Sequence, residues 1–198
     1  MATEREVTQP TSALIITRTL GLFSKMGYEA TSMREIAAAV GVKPPSLYNH
    51  YRSKEEILWE IVQGALAEIL AGQERAFSEH DDTLGRFRAF VLFHAEFHAR
   101  RSQAAQVVNG NLPSLSGQHY RRAITLRARY EHGFRDLLAT AVREGVFDID
   151  DLRVTSFAIL EMGMGISVWY KPDGDLSVRE LAERHLRLAL RMVGAPEN

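Results

Sequence analysis

Cysteine is absent from the 198 residues. That removes disulfides, thiolate metal ligands and cysteine nucleophiles in one step. No apolar run approaches the roughly 18 residues that a membrane-spanning helix needs. The stretch Met1 to Pro10 is polar and carries Glu4 and Glu6, so it lacks the basic and apolar regions of a secretory leader. The expected setting is the cytoplasm, with no membrane partner. An excess of one charge is lacking too: the net charge is −1. Spread evenly, that balance would argue against a polyanionic partner, but the distribution is uneven. Between Arg5 and Lys54 the cations Arg5, Arg18, Lys25, Arg34, Lys43, Arg52 and Lys54 face only Glu6, Glu29 and Glu35. A basic head on an acidic body suits phosphate contact at one end only.

Strand signals are nearly absent as well, while 3.6-residue periodicity runs through almost the whole chain. Hydrophobic residues make up 45%, enough for a buried core. The expectation is an all-α protein of nine helices, at about 11–26, 33–40, 44–51, 54–77, 83–100, 102–109, 116–144, 150–171 and 178–193. Ser32 to Glu35, Ser53 to Glu56 and Ser177 to Glu180 each have the serine and glutamate spacing of a capping box. Gly145 followed by Val146 has the form of a helix stop, and Pro172-Asp173-Gly174 separates the last two helices.

The densest information lies between Gly27 and Lys54. Met33, Ile36, Ala37 and Val40 give one apolar face of a short helix, Gly41 supplies a turn, and Pro45 suits the first turn of the next helix. On that second helix Leu47 and Tyr51 are one turn apart and face inward. Pro45, Ser46 and Asn49 fall on the opposite side, the side that meets base edges in a major groove. Tyr48 and His50 flank it, Lys43 and Lys54 bracket it, and Ser32 at a helix N-terminus is placed to meet a phosphate. The plain alternative is a compact three-helix packing unit. Against it stands an outward face that is small, polar and nearly free of acid, whereas a face built only for solubility carries glutamate and lysine.

The head resembles the TetR family of repressors. The resemblance is carried by Leu22-Phe23, Gly27-Tyr28, Thr31-Ser32-Met33, Ile36-Ala37, Gly41-Val42, Ser46-Leu47-Tyr48, His50-Tyr51 and Ser53-Lys54-Glu55. It implies that Tyr48, His50 and Lys54 contact the DNA backbone while the start of the reading helix meets bases. The expected organisation is a helix-turn-helix DNA-binding domain over 8–54, with the motif itself at about 32–51, and a ligand-binding and dimerisation domain over 55–198.

In the body, Leu84, Phe87, Val91, His94 and His98 recur at helical spacing, so two histidines continue an apolar face. Their i,i+4 spacing is also that of zinc ligands on a helix, but no third ligand follows from spacing, and core or pocket histidines are expected. Ala123, Tyr130, Phe134, Leu138 and Ala141 define the buried face of a later helix, and Arg127 and Glu131 fall within that stripe. A buried charge is costly unless paired. Either Arg127 and Glu131 pair at the stripe's edge, or one of them faces a cavity and meets a polar group of a ligand. Glu161 poses the same question beside Val154, Phe157, Gly165 and Val168, while Met162 and Trp169 add adaptable apolar surface. The expected effector pocket comprises His94, Phe97, His98, Tyr120, Arg127, Tyr130, Glu131, Phe134, Glu161, Met162 and Trp169. Gly163 and Gly165, unfavourable inside a helix, suggest close approach of a neighbour. Val178, Leu181, Ala182, His185, Ala189 and Met192 share one face of the last helix. With the preceding helix that face is expected to form a homodimer across a twofold axis.

The body is similar to a subset of TetR regulators that respond to acyl-CoA thioesters in lipid or steroid breakdown. The similar stretches are His94 to His98, Asn109 to Leu115, Tyr130-Glu131, Glu144 to Phe147 and Trp169 to Ser177. Together these readings give a regulator, expected to repress, that binds pseudopalindromic double-stranded operator DNA and is released by a small hydrophobic or acyl-CoA effector. A drug-responsive repressor of an efflux gene is the alternative, and a DNA-binding protein without any ligand is another. An enzyme is not expected. No nucleophile elbow, P-loop or dinucleotide fingerprint is present, and no nucleophile accompanies His94, Glu96 and His98. No cofactor or resident metal is expected either.

Overall fold

The structure is a computed structural model that describes residues 11–195. Arg5, Glu4, Glu6 and the start of the expected 8–54 head lie outside those residues. Nine α-helices and no strand occur among the described residues: α1 Ser12–Met26, α2 Met33–Val40, α3 Pro44–Tyr48, α4 Lys54–Ser78, α5 Thr83–Arg100, α6 Ser102–Asn111, α7 Gly117–Arg143, α8 Leu152–Trp169 and α9 Val178–Met192. A 3₁₀ turn, Leu112–Ser114, joins α6 to α7. None of these helices is long and apolar enough to cross a membrane.

Local chemistry fixes most helix ends. Ser32 and Ser177 each accept the N–H of the glutamate three residues on, and that glutamate's carboxylate accepts the serine N–H in return. At Ser53 only half of the expected box forms. Its hydroxyl oxygen accepts the Glu56 N–H, but the Glu56 carboxylate reaches one residue further, to the Arg52 N–H at 2.7 Å. Gly41 closes α2 with φ of 83°, a left-handed conformation that suits glycine, and lets the Val42 N–H return to the Ala37 carbonyl at 2.9 Å. The helix expected to read DNA, α3, is shorter than periodicity suggests. It stops at Tyr48 rather than running to Tyr51, because the chain must turn at once into the extended Ser53 cap that starts α4.

The buried side chains form one apolar cluster that runs from the N-terminal helices across α4 into α6 and α7, and a second, larger cluster beyond it. Ile15, Phe23, Ile36, Ala37, Leu47 and Tyr51 pack on the first turns of α4, and the same apolar cluster continues into Val107, Val108, Leu112 and Ala123 of the body. The main body core centres on Phe87, Phe90, Phe134 and Leu138. The rings of Phe90 and Phe134 stack 4.3 Å apart. Phe134 therefore belongs to this core.

The last helix corrects one expectation. Leu181, Ala182, His185 and Ala189 are buried within the chain itself, where α9 packs against α5. An amphipathic face satisfied by its own chain is not open to a partner. The exposed apolar residues of the last two helices are Val154, Phe157, Val168 and Trp169 on α8 and Leu188 and Met192 on α9.

Candidate functional site

Two buried anchors set the outward face of α3, the face expected to read DNA. Leu47 is fully buried, and buried Tyr51 donates its hydroxyl to the Glu60 carboxylate on α4. With those two residues turned inward, Pro45, Tyr48, Asn49 and His50 are exposed and Ser46 is half-buried. Tyr48 keeps 50% of its surface in solvent, which is high for an aromatic ring with no partner to meet. Lys43 is exposed at the start of this helix, and no acid intervenes between Lys43 and Lys54. The surface is thus positive and carries hydrogen-bonding groups, as a major-groove reader requires.

Two other expected phosphate contacts are placed differently. The Ser32 N–H is already donated to the Glu35 carboxylate at 2.6 Å, so only the Ser32 hydroxyl remains to meet a phosphate. That bond from Ser32, with a further one from its side chain, holds the Glu35 carboxyl below its ordinary value. The Lys54 ammonium donates to the Tyr28 carbonyl at 2.6 Å and the Glu29 carbonyl at 3.3 Å, and lies 4.1 Å above the Tyr28 ring. It therefore ties the start of α4 to the α1–α2 turn.

The body holds a cavity of about 100 Å³ between α4, α5, α6, α7 and α8. Of the expected pocket residues, His94, Phe97, His98, Arg127, Tyr130, Glu131 and Glu161 line it. Tyr120, Phe134, Met162 and Trp169 do not. Tyr120 is 43% exposed on α7, Met162 packs against the main core, and Trp169 is 53% exposed and stacks on His185. Ala65, Leu66 and Ile69 of α4, Ala105, Val108 and Asn109 of α6, and Phe157, Leu160 and Met164 of α8 complete the wall. Asn109, Phe157 and Glu161 are exposed and mark its mouth.

The polar groups of this wall fall into satisfied and unsatisfied sets. His94 Nε2 lies 3.0 Å from the Leu160 carbonyl, and its Nδ1 lies 2.8 Å from the Tyr130 hydroxyl. A carbonyl only accepts, so Nε2 carries the proton and Tyr130 donates to Nδ1. Burial pushes His94 down to about 4, against the smaller opposite effect of its bond to Leu160. The same burial pushes the Tyr130 phenol up. This arrangement needs a glycine. A Cβ on Gly163 would sit 2.2 Å from His94 Cδ2, so the expected close approach at Gly163 is that of the His94 ring, whereas Gly165 has no such neighbour.

His98, one turn on, is different. Its side chain is 4% exposed, and neither ring nitrogen has a hydrogen-bond partner. Burial, with His94 and the positive charge of Arg127 acting in the same direction, holds it far below its ordinary value. It is neutral, with one unused N–H and one unused lone pair. Arg127 is half-buried and makes no hydrogen bond or ion pair with the described residues. The Arg127–Glu131 pair is not formed, because Glu131 is taken by Arg135 on its other side. This leaves His98 and Arg127 with unmet hydrogen-bonding capacity inside a largely apolar cavity, and Glu161 without a partner among the described residues at its mouth.

The fold and this pair of surfaces define a DNA-binding regulator with a hollow helical body, and comparison with known proteins places it. The bacterial regulatory proteins, tetR family, match residues 15–61, and the tetracyclin repressor-like C-terminal domain matches residues 80–193. The chain belongs to the TetR family of transcriptional regulators. It is 30% identical over 175 residues to the HTH-type transcriptional repressor KstR2 of Mycobacterium tuberculosis, covering 85% of this chain and 86% of that one. A solved tetR-family regulatory protein from Rhodococcus RHA1 superposes with a TM-score of 0.89 at 29% identity, over 96% of this chain and 100% of the other. AibR, solved in complex with isovaleryl coenzyme A and operator DNA, shares the fold with a TM-score of 0.83 at 23% identity, over 93% and 99%.

Proposed function

We propose that this protein is a repressor that holds operator DNA with Lys43, Tyr48, Asn49 and His50 and leaves it when an acyl-CoA-type effector enters the body. Asn49 and Ser46 read bases, while Lys43, Tyr48, His50 and the Ser32 hydroxyl meet phosphate. The observation that carries the reading is a largely apolar cavity whose wall holds the buried, unpartnered His98 beside Arg127, in the body of a DNA-reading chain. An orphaned buried polar group is destabilising by about 1–3 kcal/mol, and a ligand oxygen relieves it. The relatives support the same reading: KstR2 is named a repressor and AibR was solved with an acyl-CoA and operator DNA.

Release requires a two-headed reader, because a ligand frees DNA by preferring a conformation in which the heads no longer match their half-sites. The exposed apolar residues of α8 and α9 are the surface we assign to the homodimer. The proposed division of labour is a head over residues 8–54 and a ligand-binding and dimerising body over 55–198, in the cytoplasm. A drug-responsive pocket is less well supported, since pockets that take drug-sized ligands are roughly 300–1,000 Å³ and this cavity is about 100 Å³. Fluorescence anisotropy with DNA from the gene's own promoter tests the proposal. Binding that is sequence-selective and reversed by an acyl-CoA is the expected result. Selective binding that no acyl-CoA or apolar compound alters overturns the effector half, and no selective binding overturns the whole.

A further inference from the structure

We infer that His98 is the residue that reads the effector, donating its ring N–H to the carbonyl oxygen of a short acyl group of no more than about six carbons. The inference rests on the effector reading above and adds to it a reading residue and a size limit.

Three features converge. The first is the unmet capacity of His98, whose two nitrogens are buried and without partner although the neighbouring His94 has both of its own satisfied. Two adjacent histidines on one face of α5 are thus differently committed: one is locked into the wall and the other is free to meet a guest. The second is charge. Arg127 acts on His98 with positive charge and has no ion pair among the described residues, while of the two carboxylates in the wall Glu131 is held by Arg135 and Glu161 stands at the exposed mouth, so the ring N–H of His98 meets an oxygen bearing partial negative charge rather than a donor group. Because His98 is neutral, a single uncharged carbonyl satisfies its N–H, and no fully buried carboxylate has to be desolvated. The third is volume. An apolar cavity of roughly 150 Å³ takes benzene. The cavity here, at about 100 Å³, is smaller than that, so it takes a short or branched acyl chain of about four carbons against Ile69 and Phe97, with six as the upper bound, and excludes a four-ring nucleus. Its mouth at Asn109 and Glu161 leaves the rest of a thioester outside.

Calorimetric titration of the full chain with coenzyme A, butyryl-CoA, hexanoyl-CoA and palmitoyl-CoA, for wild type, His98→Leu and His98→Asn, tests this. Wild type is expected to bind the four- and six-carbon thioesters at least tenfold more tightly than coenzyme A or palmitoyl-CoA. His98→Leu is expected to lose roughly 5- to 100-fold of that affinity, as for a buried acceptor left unpaired, while His98→Asn, which keeps an N–H donor, recovers part of it. Without ligand His98→Leu should melt at or above the wild-type temperature, because an orphaned polar group has been replaced by an apolar one. Short thioesters that bind His98→Leu as tightly as wild type overturn the role of His98. Tighter binding of palmitoyl-CoA overturns the size limit while the acyl-CoA reading stands. If no thioester binds wild type, both readings fall together.

Discussion

The Glu55 carboxylate, in the first turn of α4, accepts the backbone N–H of Ser116 at 2.9 Å and its hydroxyl at 3.0 Å. His119 adds a contact at 3.4 Å, and its ring stacks on Trp59 at 4.9 Å. Ser116 caps α7, and just before it lies α6, which lines the cavity through Ala105, Val108 and Asn109. Glu55 therefore fastens a cavity-lining segment to the helix that carries the head. Its carboxyl lies below its ordinary value, chiefly because of the Ser116 N–H.

If this strap transmits effector binding, Glu55→Ala loosens the coupling and leaves both sites intact. Coupling between two sites is typically a 5- to 150-fold change in affinity. Wild type should lose operator affinity within that range on effector binding, and Glu55→Ala should lose less than about fivefold. Anisotropy with and without effector, beside calorimetry of the effector alone, measures both quantities. Release by the variant equal to that of wild type places the coupling elsewhere.

Lys43 and Asn49 separate the two kinds of DNA contact. Lys43→Ala should weaken binding to every sequence and lower the log–log salt slope by about 1. Asn49→Ala should relax preference at particular operator positions, by about 1–3 kcal/mol per lost base contact. Both side chains are exposed, so melting temperatures should stay put. Lys54→Ala is expected to differ from Lys43→Ala, because losing the bonds to the Tyr28 and Glu29 carbonyls should also destabilise the head by about 1 kcal/mol. Unchanged salt slopes in Lys43→Ala would remove that lysine from the interface.

What the sequence made readable was mostly local. The Ser32 and Ser177 boxes and the Gly41 and Gly145 stops depend on residues within one turn and fell where the spacing put them. The inward phase of Arg127 was readable too, but its partner was not. Glu131 stands four residues after Arg127 and four before Arg135, and the second orientation, acid first, is the more favourable on a helix. That signal was present and pointed to the pair that forms. The pocket walls on α4 and α6 were not readable, since Leu66, Ile69 and Val108 carry the same apolar pattern whether they face a core or a cavity. Tyr120 and Trp169 have suitable chemistry for a pocket, but the packing of neighbouring helices leaves them outside it.

Gly163 and Gly165 make a matched pair. Alanine inside a helix is favoured over glycine by about 1 kcal/mol. At Gly163 the added methyl would collide with the His94 ring and break its bond to the Leu160 carbonyl. Overpacking and a lost buried hydrogen bond together should cost about 2–4 kcal/mol. At Gly165 nothing lies within 4 Å, so within one chain the change should be neutral or stabilising. Urea unfolding of the two variants measures the contrast, and equal stabilities would mean that His94 moves aside freely.

Val168 addresses assembly. It is 78% exposed on α8, in line with Val154 and Phe157 and beside Trp169, and a run of exposed apolar side chains of this kind marks an interaction surface. Val168→Glu should convert a dimer to a monomer in light scattering at micromolar concentration and weaken operator binding, with little effect on the stability of the isolated chain. A wild-type protein that scatters as a monomer would remove the dimer, and a dimeric Val168→Glu would move its interface off this part of α8.

Acid should unfold this protein through its histidines before its carboxylates. His94 is held at about 4, and His98 is also held far below the ordinary 6.5. Above pH 6.5 both are neutral folded and unfolded, and the full stability is present. As pH falls below 6.5 the unfolded chain takes up two protons that the folded chain refuses, so stability declines. The slope approaches about 1.4 kcal/mol per pH unit for each histidine. Between pH 6.5 and 5 the loss should reach about 3 kcal/mol, and for His94 it levels off only near pH 4, where the folded state also protonates. Glu35, Glu55 and Glu180 sit below the ordinary 4.5, so their contributions persist through this window and are lost only in stronger acid. His98→Leu removes one of the two protons and should roughly halve the loss between pH 6.5 and 5. Urea unfolding at pH 7, 6 and 5 decides the matter. A wild-type stability flat across that range would mean that the two rings are charged or solvated in the folded protein, and that the cavity wall is not the dry surface described above.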